Sequence, residues 1–171
     1  MTETSFDYVS AMKFVLAILC LFAPALALAA SGPQSLGTFG DWTAASYGAG
    51  ANEACYAFTT AKSSSLALPK RGAVLLTVTQ RKGAADEVTI AAGYTYPKSA
   101  TVTLTLGTDV VDFYTSGETA FTTGGAKAIA GFQAQSTATA KSSGPKGSTI
   151  TDNFSLAGFS GAYAAIRKAC P

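Results

Sequence analysis

The dominant pattern along the chain is a period of two. Thr101–Leu106 alternates threonine with Val102, Leu104 and Leu106, the spacing of a half-buried antiparallel strand. Ala73–Gln80 sets Val74, Leu76 and Val78 against Leu75, Thr77 and Thr79, and Glu87–Tyr94 turns Val88, Ile90 and Ala92 inward. Ala54–Thr60 is apolar on both faces, with Cys55 and Ala57 on one side and Tyr56 and Phe58 on the other, which predicts a central strand. Further strands are predicted over Thr38–Tyr47, Val110–Tyr114, Thr119–Thr122, Gln135–Lys141 and Ser148–Leu156. Glycine-rich and proline-bearing turns separate them, Gly144-Pro145-Lys146-Gly147 being the strongest, and Lys62–Arg71 reads as a polar loop around Pro69. A short helix is predicted over Ala126–Phe132, behind Gly124-Gly125.

The period changes in the last segment, Gly158–Cys170. Phe159, Ala162, Tyr163, Ile166 and Cys170 follow one another at helical spacing on a single face, so the stripe that buries Phe159 and Ile166 also aims Cys170 at the body of the domain. Arg167 and Lys168 sit in the last turn, where they complement the helix dipole. Many short strands with frequent turns and one terminal helix predict an all-β fold, an antiparallel β-sandwich with a C-terminal α-helix packed on it.

The amino-terminal stretch stands apart from this pattern. Lys13 precedes an apolar run from Phe14 to Ala29, and Ala27-Leu28-Ala29 fits a signal-peptidase site. Residues 1–29 are therefore predicted to be a signal peptide, with Met12 as the more ordinary start because Glu3 and Asp7 do not suit a positively charged leader. Residues 30–36 read as a flexible lead-in and 37–171 as a single domain; no later run is long or apolar enough to span a bilayer. Leu19 before Cys20 does not suit lipid attachment. Beyond the leader two cysteines remain, Cys55 and Cys170, and an exported chain would join them. Two separately buried thiols are the alternative. Closing so long a loop is worth about 4.7 kcal/mol in the chain-entropy account, less any native strain.

Composition narrows the chemistry. The chain has 12 basic and 10 acidic residues and a net charge of +2, too little to argue for nucleic acid. It has no histidine, which excludes a Ser-His-Asp triad, a Cys-His pair and imidazole-bound zinc within this chain. Asp86-Glu87 would point to opposite faces of a strand and reads as a solvated strand start in preference to a calcium site. Asp109 and Asp112 flank an apolar turn, and together with Asp152 they are the carboxylates on which a hydrolase would have to rely. Trp42 reads as core. Gly124-Gly125 and the later Gly-Pro-Lys-Gly lack the strand-to-helix setting of a phosphate loop. The binding rim suggested by the sequence comprises Tyr94 and Tyr96 with Lys70, Arg71, Arg81 and Lys82, the two basic pairs falling at opposite ends of one strand. No catalytic residue, metal ligand or cofactor is assigned.

Four stretches taken in order carry a family likeness: Phe39-Gly40-Asp41-Trp42; Ala54-Cys55-Tyr56-Ala57; Asp86-Glu87-Val88-Thr89-Ile90 with Gly93-Tyr94; and Thr151-Asp152-Asn153-Phe154-Ser155-Leu156-Ala157-Gly158-Phe159-Ser160. They resemble the invasion-associated locus B family of alphaproteobacteria over nearly all of the mature chain. The resemblance implies an exported envelope protein, periplasmic, secreted or associated with the outer membrane, built as an immunoglobulin-like β-sandwich, and it supplies no catalytic residues. The chain departs from the family at Ser46, near which relatives often carry a cysteine, and it lacks a later cysteine pair between Phe113 and Phe132. The Cys55–Cys170 pairing therefore rests on the helix stripe alone. The function expected is non-catalytic binding of an envelope protein or a glycan, with no nucleic acid and no membrane span after leader removal. A carboxylate-dependent hydrolase and a purely structural envelope protein are the alternatives.

Overall fold

A computed structural model of the chain describes residues 32–171. The signal peptide and the Met12 start fall outside the described residues. The strands are β1 (Gln34–Phe39), β2 (Trp42–Tyr47), β3 (Ala54–Thr60), β4 (Ser63–Ser64), β5 (Leu75–Arg81), β6 (Glu87–Ala91), β7 (Thr101–Leu106), β8 (Asp109–Ser116), β9 (Thr119–Phe121), β10 (Thr137–Ser143) and β11 (Thr149–Ser155). Two helices accompany them, α1 (Gly125–Ala134) and α2 (Phe159–Ala169).

The all-β class and the packed carboxyl-terminal helix stand. The arrangement differs from the immunoglobulin-like sandwich expected. All eleven strands are hydrogen-bonded into one antiparallel sheet, in the order β1-β2-β3-β5-β6-β9-β8-β7-β10-β11-β4, curled into a half-barrel. A twisted sheet of more than about ten strands seldom stays open without curling or splitting. Here β3, third from one edge, ends at Thr60, and β4, the strand at the opposite edge, begins at Ser63, so a short stretch of backbone links the two sides of the sheet. The Lys62 amide donates to the Asn153 carbonyl at 2.7 Å, and the Trp42 indole donates to the Ser155 carbonyl at 3.1 Å.

Among the described residues no second sheet covers the inner face. Helices α1 and α2 contribute Phe132 and Phe159, which meet Trp42 with ring centroids 6.2 and 4.9 Å from the indole. Around these three rings pack Leu76 and Val78 of β5, Ile90 of β6, Leu104 and Leu106 of β7, Phe113 of β8 and Phe154 of β11, all buried. The alternation read from the sequence is the one observed in β5, β6 and β7. Phe159, Ala162, Tyr163 and Ile166 are the buried face of α2. The second apolar face of β3 has another explanation than a covering layer: Tyr56 and Phe58 stack on each other, half-buried, on the outside of the sheet.

Several boundaries move. The single strand expected over Thr38–Tyr47 is a hairpin, because Gly40 takes φ +56° and turns Phe39 back onto Trp42. β1 begins at Gln34, within the stretch 30–36 expected as a flexible lead-in. β6 stops at Ala91 instead of Tyr94 because Gly93, at φ +71°, crosses Gly72 so closely that an added Cβ would lie 2.3 Å from the Gly72 carbonyl oxygen. Asp109 and Asp112 belong to strand β8, not to a turn.

One glycine bears directly on how α2 is seated. Gly158 precedes the helix at φ +92°, and a Cβ there would lie 1.8 Å from the Phe39 carbonyl oxygen. Gly158→Ala therefore combines a left-handed backbone cost with a backbone clash. It is expected to lower stability by about 2–3 kcal/mol, read as a lower urea midpoint with an unchanged slope.

Candidate functional site

At one end of the half-barrel a charged pair lies inside the fold. Strand β11 carries Asp152 between the buried Ile150 and Phe154, at an inward position of the alternation. A carboxylate so placed requires a partner, since desolvating an unpaired charge is prohibitive. Arg71, delivered by the loop after β4, supplies it: Nη1 donates to Oδ1 at 3.0 Å and Nη2 to Oδ2 at 2.8 Å. The two side chains are 8% and 4% exposed. This two-pronged geometry is the strongest form of ion pair available to side chains. Two further donors of Arg71 are engaged, Nε by the Ala92 carbonyl at 2.9 Å and the second Nη1 hydrogen by the Ser64 hydroxyl at 2.6 Å.

Tyr94 completes the cluster. Its ring faces the Arg71 guanidinium at 5.3 Å, and its hydroxyl shares a hydrogen bond with Ser142 at 3.0 Å. Tyr96 sits behind it, edge to face at 5.3 Å. Burial pushes both phenols above their ordinary range, so both are neutral hydrogen-bonding groups at physiological pH. The network joins the loop after β4, the loop after β6 and strands β10 and β11, and so fixes their mutual positions.

Those fixed loops wall an open groove of about 770 Å³. Leu66, Leu68, Pro69 and Pro145 give it an apolar surface; Lys70, Lys146 and Glu118 give it charge. Lys70 and Lys146 both hold left-handed backbones, at φ 61° and 57°, which a non-glycine residue adopts at a cost of about 1–2 kcal/mol. Among the described residues, neither lysine has an ion-pair partner, and both are exposed.

The residues singled out from sequence divide accordingly. Lys70, Arg71 and Tyr94 come together at the groove, with Arg71 serving as an internal tie instead of a free rim cation and Tyr96 buried behind the surface. Arg81 and Lys82 lie at the far end of β5, Arg81 within 3.8 Å of Glu87, and Lys82 beside a separate hollow next to Glu53 and Cys170. Glu53, Cys55 and Cys170 place ligand atoms within 4.8 Å of one another. Both sulfurs, however, form the Cys55–Cys170 disulfide expected from the helix stripe, so neither offers a thiolate.

The carboxylates do not converge. Asp109 and Asp112 are exposed on β8, Asp109 being 3.7 Å from Lys127, while Asp152 faces the interior two strands further along the sheet order than the neighbouring β7 and is held by Arg71. Asp86 accepts a hydrogen bond from Tyr163, and Glu87 is turned to solvent. Trp42 is core. Sequence reasoning missed Lys146, Glu118 and the structural role of Asp152; a carboxylate in an inward register position was the available signal for the last.

Searches against models of protein families, curated proteins and solved structures gave no match for this chain.

Proposed function

We propose that this chain is an exported β-domain that works by holding a partner protein of the cell envelope in the groove between Leu68, Tyr94 and Pro145. The observation that carries the reading is the groove itself: an open, mixed apolar and cationic surface whose walls are fixed from behind by the Arg71–Asp152 pair. The pair ties several loops together, and a preformed surface lowers the ordering cost of binding. Export is supported by the predicted leader and by the disulfide, which persists in oxidising compartments. The resemblance to the invasion-associated locus B family belongs to the same reading, with a periplasmic, secreted or outer-membrane-associated location. Among the described residues no helix is long and apolar enough to cross a membrane.

The test is a photo-crosslinking residue placed at Ser148, which lines the groove, and in a second variant at Thr137, which is exposed on β10 outside it. With envelope extract, the variant at 148 is expected to give one adduct of discrete mass, suppressed by Leu68→Asp, and the variant at 137 none. Equal labelling from both positions, or none from either, overturns the proposal.

A further inference from the structure

The chemistry of the groove narrows its occupant, on the assumption that the groove is the binding site. We infer that it takes an acidic peptide segment with aliphatic side chains interspersed among its carboxylates, and that Lys70 and Lys146 read the carboxylates. Two exposed lysines that have no ion-pair partner among the described residues line the groove together with Leu66, Leu68, Pro69 and Pro145. Such a surface complements a ligand that alternates negative charge with apolar bulk.

Competing ligand classes fit less well, each for a reason visible at the site. A sugar ring needs an open aromatic face. Tyr94 is the aromatic residue of the lining, and it has the Arg71 guanidinium over its ring and its hydroxyl bonded to Ser142. A phosphate is recognised best by a free arginine fork, but all three guanidinium nitrogens of Arg71 are already engaged by Ala92, Ser64 and Asp152. A dense polyanion would meet Glu118 on the same surface. A peptide with spaced carboxylates avoids Glu118 and presents backbone amides to it.

The experiment uses the disulfide-intact domain and a fluorescent peptide of alternating glutamate and leucine, followed by anisotropy. Binding is expected to weaken about threefold with Lys70→Gln or Lys146→Gln, by more than about tenfold with the double charge reversal Lys70→Glu/Lys146→Glu, and steeply with added salt. The reversed variant is expected to bind the corresponding lysine–leucine peptide instead. Equal binding of a glutamine–leucine peptide overturns the inference. So does displacement of the glutamate peptide by an oligouronate or by inorganic phosphate at matched charge. Persistence of the Ser148 crosslink in the doubly reversed variant would remove the acidic-peptide assignment while leaving the groove as the binding site.

Discussion

Asp152→Ala should destabilise the domain by about 3–5 kcal/mol, one of the two largest effects expected of any change to this chain. The substitution deletes a carboxylate that is 4% exposed and leaves the Arg71 guanidinium, 8% exposed, without its counter-charge. Removing one partner of a buried pair costs far more than the pair itself contributes, because the survivor stays desolvated. A domain of this size has a total stability of only about 5–15 kcal/mol, so the variant would be marginal at ambient temperature. Trp42 is the only tryptophan and lies at the centre of the core, so its fluorescence in urea reports the loss directly.

The companion variant separates charge from shape. Arg71→Met/Asp152→Leu removes both charges, and such replacements are often neutral or stabilising. Here it should recover most of the loss but not all of it. The buried Ala92 carbonyl loses its Arg71 donor, at about 1 kcal/mol for an acceptor left unpaired, whereas the exposed Ser64 hydroxyl turns to water. Because the groove walls are then no longer tied, this stable double variant should bind the acidic peptide more weakly than wild type. Binding at wild-type strength would mean that the pair does not organise the groove. A single variant within about 1 kcal/mol of wild type would mean that the charges are not buried in solution as they are here.

What the sequence disclosed, and what it did not, follows from the range of the interactions involved. Strands β5, β6 and β7 were legible because alternation is local: Leu76, Val78, Val88, Ile90, Val102 and Leu104 each declare their face through their neighbours two residues away. Helix α2 was legible for the same reason at helical period, and with it the direction of Cys170. The layering was not. A strand with apolar residues on both faces fits a sandwich and a curled single sheet equally well. The distinction lies in which strand pairs with β11, and that is decided by two serines, Ser63 and Ser64, inside a segment that reads as polar loop. The groove was half legible. Lys70 and Tyr94 stood out as charge and aromatic beside turns, but Lys146 was hidden in a turn motif, and no local signal joins Arg71 to Asp152, 81 residues away.

Opening the Cys55–Cys170 disulfide is the other large effect expected. The cysteines are 115 residues apart in sequence, with Cα atoms 5.9 Å apart. Freeing a loop of that length is worth up to about 5 kcal/mol through the unfolded chain, and about 3–4 kcal/mol is the more usual yield. Cys55→Ala/Cys170→Ala, or reduction of the wild type, should therefore lower the melting temperature by about 10–15 °C. The loss should come as one transition. The disulfide fastens the end of α2, but Phe159 at its start is wedged against Trp42 and Phe132 with centroids 4.9 and 5.1 Å away, so α2 has no route off the sheet that leaves the core intact. An early, separate melting of α2 would refute that coupling. The groove should be indifferent to the change as long as the domain is folded. Cys55 pairs with Gln80 at the Arg81 end of β5, whereas the groove lies beyond its Leu75 end. Peptide affinity that is unchanged between oxidised and reduced protein at low temperature would mark the sulfurs as a fastening and not a switch; a change of more than about threefold would make the redox state of this pair part of recognition.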